Sequence, residues 1–395
     1  MIKYPKAVYE IHDRVQKAID EDLYFYLQQI DRLEDPFVHV KGKKMLMLAS
    51  YSYLSLLQHP RINQLAIEAI EQFGTGTHGV RILAGTEPLH NQLEQTIAKF
   101  KKREDSIVFS SGYVANLTTI SSLYHKGDAV ICDKYDHASI VDGCLLSGAE
   151  FLRFNHNNMS DLERILKKTN IYRHRCVIID SVYSMDGDIA PLPDILDLAH
   201  RYDALVYVDE AHSMGVLGEN GTGIEEHFKM EGSVDILMGT MSKVLPAIGG
   251  YVTGDAILIN YLKHVSRAFV FSAALPPPVT AAAIGFFEVL ATEKWRIKKL
   301  NDNIHYFLRR LKEEGFNTLQ SETAIIPLII GDEEKTMKTT RYMQDNDIFV
   351  LPVLPPAVPP NTARLRMNVS ASMDFDQLEK VVKVLSEAKQ KYDIS

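Results

Sequence analysis

The chain has 395 residues, 46% of them hydrophobic, and a formal net charge of −8. That is enough apolar material for a sizeable core shared by two domains, and it excludes a small scaffold held together by disulfides or metal. The basic residues form no long block and the balance is acidic, so nucleic acid is excluded as a partner class.

The opening Met1-Ile2-Lys3-Tyr4-Pro5-Lys6 lacks the apolar core of a signal segment. Residues 1 to about 35 alternate charge with aromatics, among them Tyr24, Phe25 and Tyr26. They are expected to form a helical arm that packs on something else, such as a second subunit. Residues 38–48, broken by Gly42-Lys43-Lys44, read as a hairpin, and 61–73 and 88–101 as helices. Between those helices, Gly74-Thr75-Gly76-Thr77-His78-Gly79 matches a dinucleotide-binding fingerprint by letter. It follows a helix, not a strand, so its glycines are expected to serve close backbone approach or positive φ.

From 105 to 254, strand-like and helix-like segments alternate, the pattern of a largely parallel sheet covered on both faces. Strands are predicted at 107–109, 129–132, 151–154, 177–179, 205–208, 236–238 and 251–253. Cys132, Cys144 and Cys176 are odd in number and set among apolar residues. They favour buried thiols in a reducing, cytoplasmic compartment over disulfides or a metal site. The most apolar long stretch, 273–292, contains Pro276-Pro277-Pro278 and Glu288, which argues against a membrane span. Helical spacing dominates 280–314. Strands are then predicted at 324–330, 348–351 and 364–369 and an amphipathic helix at 376–391, with the proline-rich 351–360 as a stiff loop. The expected organisation is an arm and hairpin (1–55), a large domain built on a seven-stranded, mostly parallel sheet (56–278) and a smaller C-terminal α/β domain (279–395).

Four turns at the carboxyl ends of these strands carry the chemistry, because ligands of α/β sheets bind there. After 236–238 comes Thr240-Met241-Ser242-Lys243. A desolvated lysine is a nucleophile able to form a Schiff base, although a lone Ser-Lys pair by itself reads more readily as a solvated loop. After 107–109 comes Ser110-Ser111-Gly112-Tyr113, whose N–H groups open a helix and suit a phosphate. After 205–208 comes Asp209-Glu210-Ala211-His212-Ser213. After 129–132 comes Asp133-Lys134-Tyr135-Asp136-His137, with His137 able to stack on a flat ligand or simply to cap a helix. Together they fit pyridoxal phosphate (PLP): an acid for the pyridinium nitrogen, a lysine for the aldehyde and a helix N-terminus for the phosphate.

The blocks from Asp209 to Gly218, Ser184-Met185-Asp186-Gly187-Asp188, Asp136-His137-Ala138-Ser139-Ile140 and Thr240 to Lys243 resemble the α-oxoamine synthases, fold-type I PLP-dependent acyltransferases. The resemblance runs from about Tyr24 to the C-terminus and looks nearest to serine palmitoyltransferase-like members. It implies a decarboxylative Claisen condensation of serine, glycine or alanine with an acyl-CoA or acyl-carrier thioester. Its rivals are an aminotransferase or aldolase of the same fold, or a regulatory subunit of a heteromeric synthase. By resemblance, Lys243 would bind the cofactor aldehyde and act as base, Asp209 would pair with the ring nitrogen, and His137 would stack on the ring. His212 and Ser184 would lie near the phenolic oxygen. Ser111, Gly112, Tyr113, Thr240 and Ser242 would hold the phosphate, together with Ser272 from the neighbouring subunit of a homodimer. Arg366, ahead of Arg364, would clamp the amino-acid carboxylate, with Ser52 and Arg81 as further substrate contacts. The chain departs from the family pattern at Ser52, at Ser55, at Val244-Leu245-Pro246-Ala247 and at Met373, which bears on substrate identity more than on cofactor use.

Overall fold

The computed structural model describes residues 3–394. Met1, Ile2 and Ser395 lie outside the described residues, and with them the start of the stretch read above for a signal. The chain forms two compact units, Met1–Ser50 with Asn303–Ser395, and Tyr51–Asp302.

The first unit begins with the helix Lys6–Asp20, none of whose residues is buried. The helical arm expected over 1–35 is therefore shorter. Asp22 turns into left-handed backbone (φ 54°), Phe25 is buried, and Arg32–Glu34 is already a strand. Strands β1 (Arg32–Glu34), β2 (Phe37–Val40) and β3 (Lys43–Met47) form an antiparallel meander. The β2–β3 turn places Lys41 and Gly42 at φ 51° and 76°, the positive pair that a two-residue hairpin requires.

The second unit holds β4 (Asp105–Phe109), β5 (Ala129–Asp133), β6 (Glu150–Phe154), β7 (Arg175–Asp180), β8 (Leu205–Asp209), β9 (Ile236–Thr240) and β10 (Gly250–Gly254). They make one sheet in the order β4-β10-β9-β8-β7-β5-β6. Only β10 runs antiparallel to its neighbours, so the seven predicted strands build the expected fold-type I arrangement. Every residue of β5, β9 and β10 is buried, as befits strands covered on both faces. One face packs Val130, Cys132, Ile178, Tyr207, Met238 and Val252 against the helices Gly112–Leu123 and Ala138–Ser147, and all three cysteines are buried there as free thiols. The helix Pro60–Phe73 ends at Gly74 (φ 82°), so the glycine run after it begins as a helix stop. Two adjacent glycines bring strand ends together: a Cβ on Gly250 would lie 2.6 Å from the Gly112 Cα, and one on Gly112 would lie 2.9 Å from the Thr240 Cβ.

The chain returns to the first unit with β11 (Ile325–Gly331), β12 (Ile348–Phe349), β13 (Leu351–Val353) and β14 (Ala363–Asn368). Strand β12 pairs in parallel with β3, which is why the first fifty residues group with the C-terminal part and the boundaries fall elsewhere than at 55 and 278. The strand predicted at 348–351 is split between two sheets, since β13 joins β14 and β11 in a separate antiparallel sheet. At the break, the Val350 carbonyl accepts from the Gln344 side chain (3.0 Å) instead of from a ladder partner. The closing helix Phe375–Tyr392 starts in a capping box between Asp374 and Gln377. Among the described residues no helix is long and apolar enough to cross a membrane.

Candidate active site

The parallel register of β7, β8 and β9 delivers Asp180, Asp209 and Thr240 to one edge of the sheet, with Asp180 directly opposite Asp209. Beside them the helix Gly112–Leu123 begins, its N-cap Ser111 accepting from the Val114 N–H at 3.1 Å. These ends enclose a cavity of about 240 Å³ walled by Ser111, Gly112, Tyr113, His137, Ser184, Asp209, His212, Thr240, Ser242 and Lys243. Ten of the residues singled out from sequence thus meet in one place.

Lys243 Nζ lies 2.8 Å from His212 Nε2, and the Tyr53 hydroxyl lies 2.8 Å from His212 Nδ1. The Tyr51 ring sits below the ammonium at 5.8 Å. The Thr240 and Ser242 hydroxyls are 2.9 Å apart, and the close approach at Gly112 holds them beside the helix N-terminus. Hydroxyls and free N–H groups at a helix start form an anion cradle. Asp209 is buried, and its two oxygens accept from the Ala211 N–H (2.8 Å) and the Asn116 amide (2.7 Å). Burial lowers the basicity of His137, and nearby Lys243 adds to this against the opposing pull of Asp209. Burial also pushes the Asp180 carboxyl well above the usual range, reinforced by the charge of Asp209. Asp180 accepts the His137 backbone N–H at 3.1 Å.

The remaining expected residues are not among those that wall this cavity. Arg81 forms a buried two-pronged pair with Glu94 (2.9 and 3.2 Å) and lines a small separate cavity together with Ser272. Its guanidinium is thus already committed within its own chain. Ser52 is buried between Tyr51 and Tyr53, outside the cavity wall. Ser55, where the family pattern has glycine, occupies left-handed backbone at φ 59°. Arg366 is buried on β14 in the other unit, where its Nη1 donates to Asn368 Oδ1 at 3.0 Å.

The wall also contains Asn116, Ser139, Asp180, Val182, Ala211 and Met238, none of them singled out from sequence. Asn116 stands four residues after Gly112 and so projects from the same helix face, a signal that helical periodicity carries. Asp180 ends its strand just as Asp209 does. The donor set fits PLP: a carboxylate for a cationic ring nitrogen, an amine for an aldehyde and an anion cradle for a phosphate.

Residues 43–385 match the family described as aminotransferase class I and II. A curated relative from Bacillus velezensis, named 8-amino-7-oxononanoate synthase 1, is 43% identical over 95% of this chain and 96% of its own length. Among solved structures, a serine palmitoyltransferase with PLP superposes with a TM-score of 0.94 at 34% identity, covering 98% of both chains. The serine palmitoyltransferase of Sphingomonas wittichii superposes with a TM-score of 0.93 at 32% identity, again over 98% of both.

Proposed function

Because the chain belongs to the aminotransferase class I and II family, and within it to the α-oxoamine synthases, we propose that it is a PLP-dependent acyltransferase. It joins a small α-amino acid (glycine, alanine or serine) to an acyl thioester, on CoA or a carrier protein, with loss of carbon dioxide. The products are an α-amino ketone and a free thiol. The observation that carries this reading is the meeting of Lys243, Asp209, His137 and the Ser111–Thr240–Ser242 anion cradle in one cavity.

When bound, the cofactor supplies an electron-poor ring that takes up the electron pair released at the substrate α-carbon. The protein does the rest. Asp209, held as a hydrogen-bond acceptor by Asn116 and Ala211, would hold the cofactor's ring nitrogen and keep it protonated. The Gly112 and Tyr113 amides with the Ser111, Thr240 and Ser242 hydroxyls would hold the cofactor's phosphate. Lys243, whose Nζ would bind the cofactor aldehyde, would also be the group that accepts the substrate α-proton, with His212 2.8 Å away to share it. Ser184 and His212 supply polar contacts on the same wall, and His137 offers a flat face. Arg366 is assigned to the amino-acid carboxylate, where a two-pronged contact selects which α-carbon bond breaks. A homodimer belongs to this reading, with Ser272 completing the neighbour's phosphate site. So does a cytoplasmic location, supported by three free, buried thiols.

The test is incubation of PLP-loaded protein with glycine, alanine or serine and a series of acyl-CoAs. Free thiol and carbon dioxide should appear in equal amounts and only when both substrates are present. Thiol release that does not depend on the amino acid, or a product that keeps the carboxylate, overturns the reading.

A further inference from the structure

We infer that Asn116 is a positioning residue that orients two cavity groups at once: it holds the Asp209 carboxylate directly, and through Ser139 it fixes His137 as the neutral tautomer with hydrogen on Nε2. The hydrogen bonds around Asn116, together with the Ser139 backbone N–H, select one assignment of protons. Asn116 is fully buried, and its side chain reaches three partners. Nδ2 lies 2.7 Å from Asp209 Oδ2 and 2.9 Å from Ser139 Oγ, and Oδ1 lies 2.7 Å from the Tyr207 hydroxyl. A carboxylate only accepts, so the NH2 end of the amide must face Asp209, and Tyr207 must donate to the oxygen end. Both amide hydrogens are then used, one of them on Ser139 Oγ. That oxygen therefore accepts from Asn116 and keeps its single hydrogen for His137 Nδ1, 2.7 Å away, provided that this nitrogen carries a lone pair. The Ser139 backbone N–H, which can only donate, lies 3.3 Å from the same nitrogen and requires that lone pair. With two donors aimed at it, Nδ1 keeps its lone pair, and the proton of the neutral ring resides on Nε2.

The consequence for the cavity follows from charge. An imidazolium at 137 would stand as a cation beside Asp209 and compete for the negative charge that the ring nitrogen of a bound cofactor needs. The groups that face His137 are Asp209 from β8, Lys243 from the turn after β9, Asp142 on its own helix, Asp180 at its backbone N–H and the Tyr113 ring at 6.2 Å. Two of these, Asp209 and Asp142, are carboxylates that draw a proton onto the ring. Donation from Ser139 into Nδ1 opposes them, because protonation there breaks both hydrogen bonds. Asn116 thereby reserves Asp209 for the cofactor while keeping the stacking ring uncharged. The chemical use rests on the PLP reading above, whereas the tautomer is a property of the polypeptide alone.

The experiment uses ¹⁵N-histidine NMR on the cofactor-free protein, with PLP titration followed by absorbance as a second readout. In the wild type, His137 should show the Nε2–H pattern and keep it below about pH 6.5, where an ordinary histidine gains its proton. In Asn116→Ala and in Ser139→Ala, the ring should become a mixture of tautomers and titrate closer to the ordinary value. Asn116→Ala should also weaken PLP binding roughly tenfold, the loss expected when a charge-assisted hydrogen bond is removed, and Ser139→Ala should weaken it less. An Nδ1–H pattern in the wild type overturns the inference, as does an unchanged pattern in either variant. If Asn116→Ala does not fold, Ser139→Ala decides the tautomer and Asn116→Ser replaces it in the PLP titration. A wild type that shows the expected tautomer but takes up no PLP sinks the functional reading and leaves the tautomer assignment standing.

Discussion

His156 shows how one side chain can tie strand ends together. Its Nδ1 lies 2.9 Å from Asp133 at the end of β5, and its Nε2 lies 2.9 Å from Asp188 in the loop after β7. Burial works against charge on this ring, but hydrogen bonds to Asp133 and Asp188, with their charges, outweigh it and raise the imidazole to about 9. The folded value stands above the ordinary one, so the stabilisation is complete below about pH 6.5 and is lost as pH rises through about 9. Partial exposure screens the pair, leaving about 2 kcal/mol. Urea denaturation should show that loss between pH 6 and pH 10 (on the order of one to two pH units either side of the transition), and His156→Gln should flatten it. Asp209→Asn makes the complementary case for chemistry. It preserves shape and removes charge, so PLP should still bind while turnover falls about a hundredfold or more, the scale set by losing one preorganised electrostatic partner. Steady-state thiol release, with bound PLP quantified in the same sample, checks it.

At the scale of elements, the functional turns were legible because strands and chemistry coincide in the sequence. Lys243, Asp209 and His137 each follow a short apolar run that ends in polar residues, and all seven such runs became strands of one sheet. Asn116 and Ser139 were hidden because they lie near the start of helices, where a polar residue looks like ordinary helix surface until its partners are known. The arm was overextended because alternating charge and aromatics after Asp20 belong to a segment anchored by buried Phe25, not to a helix. Antiparallel β10, wedged between β4 and β9, depends on glycine. A methyl group at Gly250 would meet Ser111 O at 2.6 Å and Gly112 Cα at 2.6 Å, both of them backbone atoms that cannot swing away. Gly250→Ala should therefore cost about 3 kcal/mol. It should also loosen PLP binding, because the displaced atoms belong to the turn proposed to hold the phosphate. Thermal melts of the cofactor-free protein and a PLP titration separate the two effects, and unchanged values in both would contradict this account of the packing.

For the whole molecule, the question is what covers the surface next to Ser272. The bridge between Val80 and Ala273, with the Ala274 N–H donating to the Gly79 carbonyl at 3.0 Å, stitches two loops side by side. Those loops expose Leu83 (84%), Phe271 (76%) and Ile82 (47%) to solvent. Large apolar side chains this open, clustered on neighbouring loops, mark a surface that associates. Ser272 stands beside them and lines a cavity separate from that of Lys243, as the proposed homodimer requires of a residue that serves the neighbour. Each apolar side chain withdrawn from water contributes about 2 kcal/mol, and a charge placed there must be desolvated on association. Leu83→Asp together with Phe271→Asp should therefore shift the protein from dimer to monomer in sedimentation velocity. Thiol release should fall in step, because each cavity would lose the neighbour's Ser272. Far-ultraviolet circular dichroism of the double variant should match the wild type, since neither side chain belongs to a core. A variant that remains dimeric, or a folded monomer that keeps full turnover, would remove this surface from the assembly and Ser272 from the phosphate site.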